Sequence, residues 1–204
     1  MFSRPLCSLQ DLLGCSNVTA WSWLQKLRQC TIRKGREKLS GKVEVNEFFI
    51  GGQKPGKRGR GAGGKCIVVA AVERQGRKIG RIRLQVVDNC SADSLNAFIN
   101  QNIEAGSYVV TDGWKGYNPM DPDRYDHHQV FLSKNKERYS CLSGVHLIAS
   151  LVKRLIIGTF QGRFDPKYPQ PYLDEYLFRF NQRKSAILKK IHANCRCRTS
   201  RFIS

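Results

Sequence analysis

The sequence predicts an α/β fold in which a mixed five-stranded sheet carries helices on both of its faces. Three strand-like runs follow one another between residues 42 and 87 and are joined by glycine-rich or basic turns, a pattern typical of an antiparallel meander. Helical and strand-like runs then alternate as far as residue 183, which favours parallel connections. With 204 residues, 41% of them hydrophobic, the chain can bury one main core.

The first 34 residues predict a short helical segment. Two helical pieces flank Gly14, and Ser16 or Asn17 is placed to cap the second. Apolar residues recur at helical spacing in the second piece: Ala20, Trp23, Leu24 and Leu27. This pattern is typical of a partial helix-turn-helix whose second helix would bring Lys26 and Arg28 to DNA. An amphipathic hairpin packed on the main domain accounts for it equally well.

The first predicted strand, residues 42–50, has polar residues where a core strand would be apolar. Alternation along the strand sends Glu44 and Asn46 to one face and Val45 and Glu47 to the other. Asn46 therefore marks this strand as part of a candidate functional site.

The next stretch, residues 51–65, is a loop with glycine or a cation at almost every position. Gly59, Gly64 and Lys65 have the spacing of a nucleotide-binding phosphate loop, which would make the chain an NTP-binding enzyme. Against this, Cys66 replaces the magnesium-binding hydroxyl, and a strand follows where phosphate needs the start of a helix. A loop that touches DNA phosphates explains the residues better, with a merely solvated loop as the alternative. The predicted DNA contacts are Lys57, Arg58, Arg60 and Lys65.

The second half of the chain supplies the remaining elements. A helix capped by Ser91 precedes a fourth strand, which ends in Asp112 just before a glycine turn. A fifth strand is predicted at residues 127–132. The helix that follows carries His146 and Lys153 on one face, because they are seven residues apart. A final amphipathic helix ends near residue 184.

The order of these elements is that of a ribonuclease-H-like fold: three strands, a helix, a strand, a crossing, a strand and two helices. In such a sheet the first and fourth strands are neighbours. We therefore expect Asn46 and Asp112 to lie side by side, although they are far apart in the sequence. The predicted divisions are a helical segment at 1–34, the main domain at 35–183 and a basic tail at 184–204.

Composition points to a polyanionic partner. Lys and Arg number 35 against 16 Asp and Glu, which gives a formal net charge of +19. No apolar run is long enough to span a membrane, so we expect no membrane partner and a cytoplasmic protein. Most of the eight cysteines should then be reduced. His192, Cys195 and Cys197 have metal-ligand spacing, but no second ligand pair stands nearby, which favours an ordinary basic tail.

Four separated motifs resemble the small bacterial insertion-sequence transposases of the DDE type. They are VEVNEFFIGG, TDGWKGY, GVHxxxSLxKRxxxGTxQG and YLDEYLFRFNQR, and they occur in the family's order between Leu9 and Arg183. The resemblance implies a ribonuclease-H-like catalytic domain that cleaves DNA at the ends of the element and transfers the strand into a target. Double-stranded DNA is then the partner, and whether the chain forms a homo-oligomer is left open.

The resemblance also implies a catalytic and metal-binding triad of Asn46, Asp112 and His146. These residues would hold two Mg²⁺ or Mn²⁺ ions, which prefer hard, anionic oxygen ligands. Lys153 and Arg154, on the same helix as His146, would hold DNA phosphates.

Three departures from the family pattern imply weakened or lost catalysis. Asn46 stands where the family has an Asp that bridges both metals, so the site lacks one negative charge. Glu44, on the same face and about 6.6 Å along the strand, is a candidate substitute. Relatives also carry a zinc ribbon and a fuller helix-turn-helix before the catalytic domain, which implies a truncated N-terminus here. The family pattern is also lost after Arg183. The alternative function is a non-catalytic DNA-binding remnant of a transposase.

Overall fold

A five-stranded mixed sheet organises the computed structural model, which describes residues 10–30, 35–51, 66–131, 141–160 and 169–184. The strand order is β3-β2-β1-β4-β5, in which β1 to β3 are antiparallel and β4 and β5 continue parallel to β1. The strands are β1 (Lys42–Ile50), β2 (Cys66–Gln75), β3 (Lys78–Val87), β4 (Tyr108–Asp112) and β5 (Asp126–Val130). The predicted mixed five-stranded sheet is confirmed, and the first and fourth strands are neighbours, as expected.

Helices cover both faces of this sheet. They are α1 (Asn17–Cys30), α2 (Ala92–Asn102), α3 (Ser143–Phe160) and α4 (Pro169–Asn181). Strand alternation creates two cores: Val43 and Val45 of β1 pack against α2, whereas Phe48 and Ile50 pack against α3 and α4. The predicted cap of α2 is confirmed, since the Ser91 hydroxyl accepts a hydrogen bond from Ser94 N at 3.3 Å. No helix in the described part of the chain could span a membrane.

Two side-chain amides of α4 cover the outer edge of β3. Gln170 accepts a hydrogen bond from Val86 N at 2.8 Å and donates one to Leu84 O at 3.3 Å. Asn181 similarly accepts from Ile82 N at 2.9 Å and donates to Ile82 O at 3.1 Å. These amides take the place of a neighbouring strand, so the backbone groups of this edge are not left open to another chain.

The N-terminal helix α1 packs against α4 with a different face from the predicted one. Ala20, Leu24 and Arg28, four residues apart, turn inward, whereas Trp23 and Leu27 are about half exposed. The reason is Arg28: its Nε donates to Glu175 at 2.9 Å, and its guanidinium lies 4.3 Å from the centre of the Tyr172 ring. These contacts rotate the predicted apolar stripe away from the main domain.

We expect the Gln170→Ala variant to lose about 1–3 kcal/mol of unfolding free energy, because it leaves two partly buried backbone groups of β3 without partners. Urea denaturation measures the loss. Gln75→Ala removes the same kind of side chain from an exposed position and should stay within about 0.5 kcal/mol of the wild type. Equal midpoints for the two variants would contradict the role given to Gln170.

Candidate nucleic-acid processing site

Asn46 and Asp112 occupy adjacent positions on neighbouring parallel strands. Val45 and Thr111 form the last register pair between β1 and β4, and Asn46 and Asp112 are the next residue on each strand. Side chains at corresponding positions of parallel neighbours point to the same face of a sheet. This face is the one that α3 covers, because Asn46 alternates with Glu44 and Phe48, which both contact that helix.

Helix α3 runs along β1. Its Val145 N donates to Glu44 Oε2 at 3.0 Å, and further along its Lys153 Nζ lies 5.8 Å from the centre of the Phe48 ring. The eight helical residues between these contacts rise about 12 Å, and the four strand residues extend about 13 Å, so the two elements are nearly parallel. Asn46 lies between the two contact points.

His146 belongs to the side of α3 that leans toward β4. Leu142, one turn earlier on the same side, packs with Val110 of β4 and Val130 of β5. The Nε2 atom of His146 is buried. Asn46 and Asp112 therefore lie on the sheet face that α3 covers, and His146 lies on the side of α3 that leans toward β4.

The turn after β4 holds Asp112 in a fixed orientation. Asp112 Oδ1 accepts a hydrogen bond from Trp114 N at 3.1 Å, which closes the turn. A Cβ at Gly113 would lie 2.5 Å from Cδ1 of Phe131, so a larger residue here would displace that exposed ring. The indole of Trp114 donates to Cys90 O at 3.2 Å, so this residue packs against the domain.

Tyr117 anchors the same turn to β1 from the opposite face. Its hydroxyl donates to Glu47 Oε2 at 2.9 Å, and its side chain is fully buried. Burial, with a further contribution from Glu47, holds the pKa of Tyr117 well above its ordinary value, so the hydroxyl remains a donor. The sequence analysis missed this pair; the signal was Glu47, a charged residue on the α2 face of a core strand.

Glu44 cannot act as the substitute carboxylate, because it is already committed to structure. It is 2% exposed, lies 3.2 Å from Arg74 Nε and accepts from the first turn of α3. Gly144 makes room for this carboxylate, since a Cβ there would lie 2.8 Å from Glu44 Oε2. Burial raises the pKa of Glu44 above its ordinary value, although Val145 N and Arg74 favour the charged form.

The donor set at Asn46, Asp112 and His146 does not fit a pair of divalent cations. Asp112 is the only one of the three that is anionic, and two hard dications need several anionic oxygens. Asn46 Oδ1 also accepts a hydrogen bond from Glu47 N at 2.9 Å. Across the described ranges, no group of three or more His, Cys, Asp or Glu side chains is arranged to hold a metal.

The residues predicted to contact DNA differ in whether the structure leaves them exposed. Lys153 and Arg154 are exposed on α3, and Lys26 is exposed on α1 beside Trp23. Arg28 is 4% exposed and bound to Glu175, so it is not available to a DNA phosphate. The basic-loop contacts lie outside the described residues: Lys57, Arg58, Arg60 and Lys65.

Comparison with known proteins gives one family. Residues 38–181 match the model of the ISXO2-like transposase domain. No curated protein gives a match. Among solved structures, the chain is similar to one in the cryoEM structure of the simian T-cell lymphotropic virus intasome in complex with PP2A regulatory subunit B56 gamma. The identity is 10% and the TM-score 0.43, over 83% of this chain and 62% of that one, so this chain spans less than two thirds of that relative.

We expect the stability of the wild type to fall as pH rises from about 4.5, the ordinary pKa of Glu44, through its raised value. A raised pKa means that the folded state binds this proton more tightly than the unfolded chain, so ionisation favours unfolding. Glu44→Gln keeps an oxygen for Val145 N and should remove this fall. Urea unfolding between pH 4.5 and 7 measures the difference, with Glu104→Gln, at an exposed position, as the control. If the unfolding free energies of the wild type and Glu44→Gln change in parallel with pH, the prediction is wrong.

Proposed function

The chain belongs to the family of ISXO2-like transposase domains, and from this premise we propose that it is a DNA transposase whose cleavage and strand transfer are weakened by Asn46. The observation that carries the proposal is the adjacency of Asn46 and Asp112 on neighbouring parallel strands, on the sheet face covered by the helix that holds His146. This arrangement supports a catalytic site from which one negative charge is missing. The substrates are double-stranded DNA at the element ends and at the target.

The missing charge supports impaired rather than intact catalysis. The amide of Asn46 is neutral, and the nearby carboxylate on the same face, Glu44, is bound to Arg74 and to α3. Asp112 is thus left as the anion of the triad. By the family resemblance, a carboxylate at this position would help to hold the divalent ions, so its absence should lower both metal affinity and transition-state stabilisation.

The residues around the site support DNA binding. Lys153 and Arg154 present two exposed cations on the helix that carries His146. The whole chain has a net charge of +19, which favours a phosphate backbone as partner. These two cations would hold phosphates of the bound DNA. The cytoplasmic location and a homo-oligomer remain predictions.

A non-catalytic DNA-binding protein is the second candidate. It is favoured by one observation: Glu44 is already bound to Arg74 and to α3. No carboxylate of β1 is therefore available on that face to take the place of Asn46. Such a protein would keep the scaffold and the charge, and would compete with an intact transposase for DNA ends.

Asn46→Asp should raise Mg²⁺- or Mn²⁺-dependent nicking and strand transfer on element-end DNA by at least about 100-fold, because it restores the charge. It should also tighten Mn²⁺ binding measured by calorimetry without DNA. Asn96→Asp adds the same charge on α2, across the sheet, and should change neither quantity. Activity of the wild type equal to that of Asn46→Asp would contradict weakened catalysis, and DNA binding without activity in either would favour the second candidate.

Binding to duplex DNA should weaken steeply with salt. If six or more phosphates are contacted, log affinity should fall with log salt at a slope of about −5. Combined Lys153→Ala and Arg154→Ala should make the slope shallower by about 1.8, because two contacts are lost. Fluorescence anisotropy measures both slopes, with Lys78→Ala on the far part of β3 as the control. A flat response to salt would rule out binding through phosphates.

A further inference from the structure

An open cavity of about 710 Å³ lies at the outer edge of β3, away from the site described above. Its walls come from residues 35–38, from the end of α2 and from α4. The register pairs Asn46 with Ala70 and Ala70 with Leu84, a residue of the cavity wall. The cavity is therefore level with Asn46 along the strands and about 10 Å away across the sheet.

Arg83 places a buried cation on the cavity wall without an ion pair. It is 7% exposed, and its guanidinium donates to two carbonyl oxygens, Ile82 O at 3.0 Å and Glu37 O at 2.6 Å. Within the described part of the chain no carboxylate forms a salt bridge with it. Buried charges in proteins are normally paired, because desolvating a lone ion is costly. The site therefore favours an anion.

The surroundings strengthen this positive field. Burial lowers the pKa of Arg83 to about 10, and the neighbouring cations Arg36 and Arg81 contribute to the lowering. Arg83 is still charged at neutral pH. The nearby Glu73 attracts it, but that carboxylate is bound by Arg81 at 2.7 Å.

The two acidic residues that line the cavity, Asp174 and Glu37, pair with Arg36 and Arg81, and neither forms a salt bridge with Arg83. Asp174 is buried, accepts from Gln170 Nε2 at 3.1 Å and lies 3.9 Å from Arg36 Nη2. Burial raises the pKa of Asp174 above its ordinary value. The Glu37 side chain is 92% exposed and pairs with Arg81 instead. Lys38 adds a further cation, whose Nζ donates to Asn100 O at 2.7 Å.

We propose that this cavity binds a phosphate group, held by Arg83 with Arg36 and Lys38, from a DNA backbone or from free phosphate. Its volume is in the range of ligand pockets in proteins, so a phosphate with its attached sugar fits. An arginine has five donors, and the two carbonyl bonds of Arg83 leave three for phosphate oxygens. The proposal extends the DNA binding proposed above, but it can be tested without DNA.

The first arm measures melting temperature in sodium phosphate and in sodium chloride at equal ionic strength. A ligand that binds only the folded state raises its stability with concentration. Phosphate should therefore raise the melting temperature of the wild type and of Lys78→Gln, which removes an exposed cation of the same strand outside the cavity. The rise should be smaller for Arg83→Gln and for Arg36→Gln. If Arg83→Gln fails to fold, the result of this experiment is taken from Arg36→Gln, which changes a partly exposed residue.

The second arm measures the salt dependence of duplex DNA binding for the same four proteins. If a backbone phosphate fills the cavity, Arg83→Gln and Arg36→Gln should make the slope shallower by about 0.9 relative to Lys78→Gln. A change in either arm supports the site, and the second arm identifies DNA as the source. Cavity variants that match Lys78→Gln in both arms overturn the proposal. If the wild type binds no DNA, the proposed function fails and the phosphate arm alone decides the cavity.

Discussion

The parallel pairing of β1 with β4 is the constraint on which the rest of the structure depends. It joins residues more than sixty positions apart and brings Asn46 beside Asp112 at the same level of the sheet. The antiparallel pairing of β1 with β2 holds the other side of the same strand. Because β1 is central, each helix layer packs against one of its two faces, and the alternation of its side chains decides which residues meet α2 and which meet α3.

The second essential interaction is the one that fixes α3 over this sheet. Glu44 accepts a hydrogen bond from the backbone N–H of Val145 and forms a salt bridge with Arg74, so the first turn of α3 is bound to β1. The negative carboxylate also suits the positive end of the helix dipole. This use of Glu44 positions His146, and for the same reason it withholds the carboxylate from the neighbouring Asn46. Structure and catalytic chemistry therefore compete for acidic residues on one short strand.

Some cations of this protein form structural salt bridges, whereas others lie exposed on the surface. Several arginines are structural: Arg28 binds α4, Arg74 binds Glu44, and Arg81 joins Glu73 to Glu37. Lys153 and Arg154 remain exposed on α3, beside the candidate site. The total of +19 therefore overstates the charge that any one partner meets, and the position of each cation decides its role.

The kinds of elements, their order and the polar residues of the candidate site could be predicted from the sequence. Period-two and helical patterns are local, so β1, α2 and the strand that ends in Asp112 could be predicted from neighbouring residues, and the motifs identified the family. Which charged residues are available to a partner could not be predicted, because it depends on long-range packing. Arg28 meets Glu175 across 147 positions and Glu44 meets Val145 across 101, and no local pattern encodes such contacts. Burial and partners change what a side chain can do, and both arise only when distant segments pack together.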